Sequence, residues 1–253
     1  MTVRIGVTGA TGRMGGEVLA AAAEREDLEV VLAVSRSADE EVEGVAVESA
    51  ADLPALLAER EPDVLVDFTG PESCVEYASA CAEAGVALVT GTTGLSDEQF
   101  DALETLADDV PVLYASNFSR GIAALRRAVR EAIPALDGYD IELTETHHNA
   151  KRDAPSGTAL TLLEDIDDVR GDAERVHGRE GEAPRTEGEI GVHARRAGDI
   201  AGEHEVLLAG NHESLSLTHR AGSRGVFAAG ALDAAAWLSG RDAGWYDFTE
   251  VLE

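Results

Sequence analysis

Val3-Arg4-Ile5-Gly6-Val7-Thr8-Gly9-Ala10-Thr11-Gly12-Arg13-Met14-Gly15 decides the fold. Its first five residues form a short β-branched run that reads as a buried strand. The run leads through a glycine-rich turn into an alanine-rich helix over 12–25. Backbone N–H groups of such a turn, with the helix N-terminus behind them, can hold a pyrophosphate. The pattern is GxxGxxG, with Thr11 at the middle position where GxGxxG carries glycine, so the strand before and the helix after say more than the letters. The alternative is a tight turn in an α/β fold that binds no nucleotide.

Outward from this unit, short apolar runs at 28–34, 64–68, 87–90 and 112–115 alternate with helical stretches at 52–59, 72–84 and 96–106. Strict β-α-β-α order predicts a doubly wound parallel sheet with right-handed crossovers. Near residue 118 the pattern changes. Segments 141–146, 188–194, 201–209 and 213–219 alternate polar and apolar residues, which predicts a mixed or antiparallel sheet covered on one face. Between them, 165–189 is rich in Gly, Asp, Glu and Arg and reads as an exposed loop or lid. An alanine-rich helix at 225–240 is expected to return to the first domain. The predicted division is 1–118 with 225–253 for a dinucleotide-binding domain, and 119–224 for substrate binding and oligomerisation.

Acidic residues number 49 against 20 Lys and Arg, and the formal net charge is -29. Long-range repulsion therefore disfavours a nucleic acid partner. Lys151 is the single lysine. An acid-rich, lysine-poor surface suits multimolar salt, where the Debye length falls to about 3 Å; the alternative is an ordinary acidic protein. Cys74 and Cys81 lie two helical turns apart, too far for a disulfide, and read as reduced core residues. The N-terminus lacks a signal-like segment, and no window of about 18 apolar residues occurs, so the expectation is a cytoplasmic protein with no membrane partner.

Ligands of open α/β sheets bind at the carboxyl ends of the strands. The loops there are Phe68-Thr69-Gly70-Pro71, Gly91-Thr92-Thr93-Gly94 and Ala115-Ser116-Asn117-Phe118. At the end of the second strand, where a dehydrogenase specific for NAD carries an acid, stand Ser35 and Arg36. They favour a 2′-phosphate and hence NADPH over NADH, although Arg36 could equally be a solvated loop arginine.

The most specific stretch is Glu145-Thr146-His147-His148-Asn149-Ala150-Lys151-Arg152-Asp153-Ala154-Pro155-Ser156-Gly157-Thr158-Ala159. Ser156 suits an N-cap, and the helix starting near Gly157 and Thr158 would offer amides to a carboxylate. Beside that anion site stands the sole ammonium, where arginine could carry charge but could not readily give up a proton. Zinc binding by Glu145, His147 and His148 lacks ligand spacing and a cysteine partner, so no metal is expected. Histidines that merely satisfy core hydrogen bonds are the bland alternative.

The paired histidine, the lysine three residues on and the Asp-Ala-Pro-Ser-Gly-Thr-Ala run resemble the dihydrodipicolinate reductase family. The likeness extends from the glycine turn to Arg195-Arg196-Ala197-Gly198-Asp199-Ile200-Ala201-Gly202-Glu203-His204 and Thr218-His219-Arg220-Ala221-Gly222-Ser223-Arg224. The resemblance implies a Rossmann-like domain, an α+β substrate domain whose sheet builds a homotetramer, and NAD(P)H-dependent reduction of a cyclic imine dicarboxylate. Hydride would go to ring C4, with loss of the 4-hydroxyl as water and protonation at C3. It also implies that His147 is the acid/base residue, Lys151 the proton donor, and His148, Gly157 and Thr158 the carboxylate binders. Gly9, Ala10, Thr11, Gly12, Arg13, Met14, Arg36, Gly91, Thr92, Thr93, Ala115, Ser116, Asn117 and Phe118 would hold the coenzyme. Thr11 and Ser35 depart from the frequent glycine and acid of the family. Another NAD(P)-dependent oxidoreductase of similar architecture and a non-enzymatic dinucleotide-binding redox sensor stay open as alternatives.

Overall fold

A computed structural model describes residues 2–37 and 41–252. In chain order the first stretch runs β1 (Val3–Thr8), α1 (Arg13–Ala23), β2 (Leu28–Ser35), β3 (Glu41–Val42), β4 (Val45–Ala46), β5 (Glu48–Ser49), α2 (Leu53–Arg60), β6 (Val64–Asp67), α3 (Pro71–Ala84), β7 (Ala87–Thr90), α4 (Asp97–Leu106) and β8 (Pro111–Tyr114). There follow α5 (Arg120–Ala135), β9 (Asp140–His147), α6 (Gly157–Arg170), β10 (Arg175–His177), β11 (Ile190–Arg196), β12 (Glu203–Ala209) and β13 (Ser214–Arg220). After these come α7 (Gly225–Leu238), β14 (Gly244–Asp247) and a short 3-10 helix (Phe248–Leu252). It divides into two compact units, one of residues 1–119 with 224–253 and one of 120–223.

In the first unit seven strands lie in the order β14-β8-β7-β6-β1-β2-β5, and every pairing is parallel. This is the Rossmann-like doubly wound sheet that the β-α-β-α alternation predicts. Its strands are apolar on both sides because both faces are covered. One face packs with α1 and α7 around Val7, Val18, Val66 and Leu232; the other packs with α2, α3 and α4 around Leu57, Leu65, Cys81 and Leu103. Cys74 and Cys81 are both buried on α3, and burial pushes the Cys74 thiol up to about 12. The edge strand β14 is missing from the sequence reading. Its four residues carry Trp245, whose ring meets those of Phe100 and Tyr114.

The second unit is a five-stranded mixed sheet, β10-β11-β9-β12-β13, with β11 parallel to β9 and β12 antiparallel to it. In β9, Ile141 and Leu143 turn into a core shared with α5 and α6, while Glu142 and Thr144 stay half-buried. The sequence reading missed α5, although Ile122, Leu125, Val129 and Ile133 recur at helical spacing and are all buried. The exposed loop or lid expected at 165–189 is found over 171–174 and 178–188, which have no regular structure and are mostly exposed, but not at its start or at 175–177. Residues 165–170 are the last turns of α6, and Asp165 is buried because Arg126 and Arg130 of α5 reach it at 2.6 and 2.8 Å. Further on, β10 pairs with β11, and buried Glu189 is gripped by Arg179. Charged composition marks solvent only when the charges lack partners, and these are paired. No helix among the described residues is long and apolar enough to cross a membrane.

Candidate active site

In the first unit the glycine turn has little room for side chains. Gly9 sits at φ +61, and a Cβ on Gly15 would fall 2.2 Å from the carbonyl oxygen of Gly9. Thr11, Gly12 and Arg13 are exposed where α1 begins, with Gly12 as its N-cap. A cavity of about 370 Å³ adjoins it, lined by Gly9, Thr11, Gly12, Ser35, Arg36 and Thr69 among others. Bare backbone at a helix start, an arginine and a cavity suit a phosphate-bearing dinucleotide. Thr11 Oγ1 lies 2.6 Å from Ser35 Oγ, tying the turn to the end of β2.

Beneath this edge is Asp67, the last residue of β6 and fully buried. Its Oδ1 accepts from the hydroxyls of Thr8 at 2.6 Å and Thr69 at 2.7 Å, and its Oδ2 from those of Thr92 at 2.7 Å and Thr90 at 3.0 Å. One carboxylate thus joins the ends of β1, β6 and β7 to the loops that follow β6 and β7. Gly91 is required for close packing, since a Cβ there would lie 2.1 Å from the Phe68 ring.

In the second unit the end of β9 carries Glu145 and His147 on one side, as the two-residue period of a strand dictates. Glu145 is buried, and its Oε2 lies 2.7 Å from His147 Nδ1. Arg196 of β11 bridges both carboxylate oxygens at 2.7 and 2.8 Å, and the Ser156 amide donates to Oε1 at 3.1 Å. Burial would raise the Glu145 carboxyl, but hydrogen bonds from Arg196 and His147 outweigh it and hold the group below its usual range. Burial pushes His147 below the ordinary imidazole range against the pull of Glu145. A neutral His147 therefore donates from Nδ1 to Glu145 and offers a lone pair at Nε2.

Ser156 caps α6, its Oγ accepting from the Ala159 amide at 3.2 Å and lying 3.0 Å from His204 Nε2. His204 is buried, its ring 5.2 Å from that of His147; burial first, then the neighbouring His147, pushes it down to about 3. Lys151 Nζ lies 2.9 Å from Asp153 Oδ2, and the Lys151 amide donates to His148 O.

The structure brings part of the sequence-predicted set together. Gly9, Thr11, Gly12 and Arg36 line the cavity, while Ala10 is fully buried and Met14 packs on the core beside Arg13 at the start of α1. Thr92 is buried against Asp67, next to Gly91 and Thr93 in the loop after β7. Ala115 is buried, and after Ser116 the Asn117 Oδ1 accepts from the Ser119 amide. The Phe118 ring packs between Phe68 and Phe248, so only its backbone is left for a ligand. In the second unit, the Ser156 amide on Glu145 draws the start of α6, with Gly157 and Thr158, to the end of β9 that carries His147; half-buried His148 follows directly. Asp67, Glu145, Arg196 and His204 are functional candidates that sequence reasoning did not assign. An acid ending an otherwise apolar strand was the available signal for Asp67.

Comparison with known proteins agrees across the chain. The family model described as dihydrodipicolinate reductase, N-terminus, matches residues 3–118, and that described as dihydrodipicolinate reductase, C-terminus, matches 121–252. A 4-hydroxy-tetrahydrodipicolinate reductase of Haloarcula marismortui is 53% identical over 99% of both chains, and one of Natronomonas pharaonis is 55% identical over 97% of this chain and 98% of its own. Among solved structures, a dipicolinate-bound dihydrodipicolinate reductase from Paenisporosarcina sp. TG-14 is similar with a TM-score of 0.78 and 26% identity, covering 98% of each chain. A diaminopimelate dehydrogenase of C. glutamicum, at 16% identity and a TM-score of 0.61 over 100% of this chain and 96% of its own, shares the fold alone. With both halves matched and more than half the residues identical to full-length relatives, the chain belongs to the dihydrodipicolinate reductase family.

Proposed function

We propose that this chain reduces 4-hydroxy-tetrahydrodipicolinate to tetrahydrodipicolinate with NAD(P)H, as a step of diaminopimelate and lysine biosynthesis. What carries the reading is identity of 53% and 55% over nearly the full length of two relatives named for that substrate. The bound coenzyme supplies hydride. Its pyrophosphate belongs on the turn from Gly9 to Met14, with Arg36 at the adenosine end and the loops Gly91 to Thr93 and Ala115 to Phe118 along the same edge. Ser35 and Arg36, with no acid at either position, support NADPH over NADH.

The protein's own groups handle the protons. His147, fixed through Nδ1 by Glu145, exchanges a proton at Nε2. Lys151 donates from Nζ. Its partner Asp153 is well exposed, and surface ion pairs of this kind are worth about 0–1 kcal/mol, so the ammonium is readily released. His148 and the first turn of α6 at Gly157 and Thr158 take a substrate carboxylate, since a helix N-terminus favours an anion. Self-association into a homotetramer is assigned to the second unit's sheet, whose edge strand β13 exposes Leu215 at 38%.

The test is the loss of reduced-nicotinamide absorbance in molar KCl, with substrate freshly made from aspartate semialdehyde and pyruvate. Rapid oxidation that depends on both precursors is expected. A folded protein that binds NADPH and leaves it unoxidised would sink the assignment.

A further inference from the structure

We propose that Asp67 is a positioning residue that sets the hydrogen-bond polarity of the coenzyme edge, making Thr69 an acceptor toward the bound dinucleotide and anchoring the loop after β7 through buried Thr92. The inference rests on the reading of the glycine turn as the dinucleotide site.

A threonine hydroxyl has one proton and two lone pairs, whereas an ionised carboxylate only accepts. Thr8, Thr69, Thr90 and Thr92 all direct their protons at Asp67, two to each oxygen, so the carboxylate's acceptor sites are filled. Each hydroxyl has then used its only proton and can offer nothing but lone pairs elsewhere. Thr90 spends one of these on the Thr92 amide at 3.2 Å. Thr69 lines the cavity beside Gly9, Ser35 and Arg36, and its Cγ2 packs close to Gly9. A lone pair presented there repels phosphate oxygens and welcomes a donor. The donors of a dinucleotide in reach of such an edge are ribose hydroxyls and the carboxamide amine. Thr69 accordingly accepts from a ribose hydroxyl, and pyrophosphate is left to the backbone amides of the turn.

The two oxygens serve the two loops separately, Oδ1 holding Thr69 and Oδ2 holding Thr92. In Asp67→Asn, whichever way the amide is turned, its NH2 faces one of these threonines and forces that hydroxyl to send its proton elsewhere. Either the Thr69 acceptor or the Thr92 anchor of the loop after β7 is therefore reversed in each orientation.

The experiment measures KM and kcat for NADPH in molar KCl, with circular dichroism to confirm the folded fraction. Asp67→Asn is expected to raise KM for NADPH about tenfold and leave kcat within twofold. Thr69→Val is expected to raise KM several-fold, and Thr69→Ser, which keeps the hydroxyl, to restore it. The double variant Asp67→Asn with Thr69→Val should raise KM by less than the product of the two single effects, because Asp67 acts through Thr69; full additivity would count against the proposal. Should Asp67→Asn fail to fold, the Thr69 pair decides alone. Unchanged KM in Thr69→Val would overturn the proposal, as would a folded Asp67→Asn protein with wild-type KM. Wild-type protein that binds no dinucleotide by fluorescence titration would instead sink the reading of the glycine turn, and this inference with it.

Discussion

Two carboxylates, one in each unit, are buried to the same degree and each accepts four hydrogen bonds, yet their surroundings differ in kind. Around Asp67 the four donors are threonine hydroxyls, none of which carries a charge. Around Glu145 they are two N–H groups of Arg196, the Nδ1 of His147 and the Ser156 amide. Neutral donors fix orientation without a partner that titrates near neutral pH, which suits an edge that only has to bind. An imidazole and a guanidinium on one carboxylate couple position to protonation, which suits a site that has to move protons.

The sharpest way to break this contrast is at the proton-moving end. Lys151→Arg keeps the positive charge but removes a group able to give up its proton. Turnover should fall by about 10²–10⁴-fold, the usual worth of a general acid, with NADPH affinity unchanged. Full activity would remove Lys151 from the chemistry. Next in size is Glu145→Gln. It strips the carboxylate from Arg196 and releases the tautomer of His147, so denaturant unfolding should show a loss of about 3–5 kcal/mol, and kcat should drop. A kcat as insensitive as that expected for Asp67→Asn would erase the difference between the two pockets.

These pockets were unequally legible in the sequence. The parallel sheet and its glycine turn could be read because every strand obeys the same local rule, an apolar run between helices. The stretch from His147 to Thr158 was legible as chemistry because a lone lysine beside two histidines has few structural explanations. Asp67 and Arg196 were not legible as partners, since their contacts join strands far apart in the chain: Thr8 is 59 residues from Asp67, and Arg196 is 51 from Glu145. The loop expected at 165–189 holds beyond residue 170 apart from β10, but at its start it failed for the same reason. Its acids look solvated until Arg126 and Arg130 arrive from α5, 39 and 35 residues away from Asp165.

Salt and pH separate surface charge from buried charge. With a formal net charge of -29, the exposed acids repel one another until salt screens them, and the Debye length shrinks to about 3 Å at 1 M. The melting temperature should rise by ~10 °C from dilute buffer to molar KCl, a few kcal/mol at this chain length; a flat profile would end the high-salt reading. Acid acts on the second unit's core instead. His204 is held at about 3 against an ordinary 6.5, so below 6.5 the unfolded chain takes up a proton that the folded one refuses, and stability falls as pH falls. Between pH 7 and pH 5 this one residue costs about 2 kcal/mol, since one pKa unit is about 1.4 kcal/mol. His147, also lowered, adds in the same direction. Glu145, held below its usual range, adds its own loss at lower pH, as pH falls through its folded value. Urea unfolding of wild type and His204→Gln at the two pH values checks the sign: the variant should show the smaller decline.

The smallest effect belongs to the binding edge and concerns which coenzyme it prefers. Arg36 borders the cavity at the end of β2 beside Ser35, and neither residue carries the carboxylate that holds the ribose hydroxyls of NADH. A guanidinium there meets an opposite charge only in a 2′-phosphate, a hydrogen bond worth about 1.5 kcal/mol at the low end for charged groups. Arg36→Ala should therefore raise KM for NADPH about tenfold and leave KM for NADH nearly unchanged, with kcat intact for both. Equal losses with the two coenzymes would mean that Arg36 supports the glycine turn generally and that discrimination lies elsewhere on the cavity wall. Because the effect acts on KM alone, it also sets the scale against which Asp67→Asn must be read: a change of polarity should weaken NADPH and NADH alike, whereas a lost phosphate contact weakens only one.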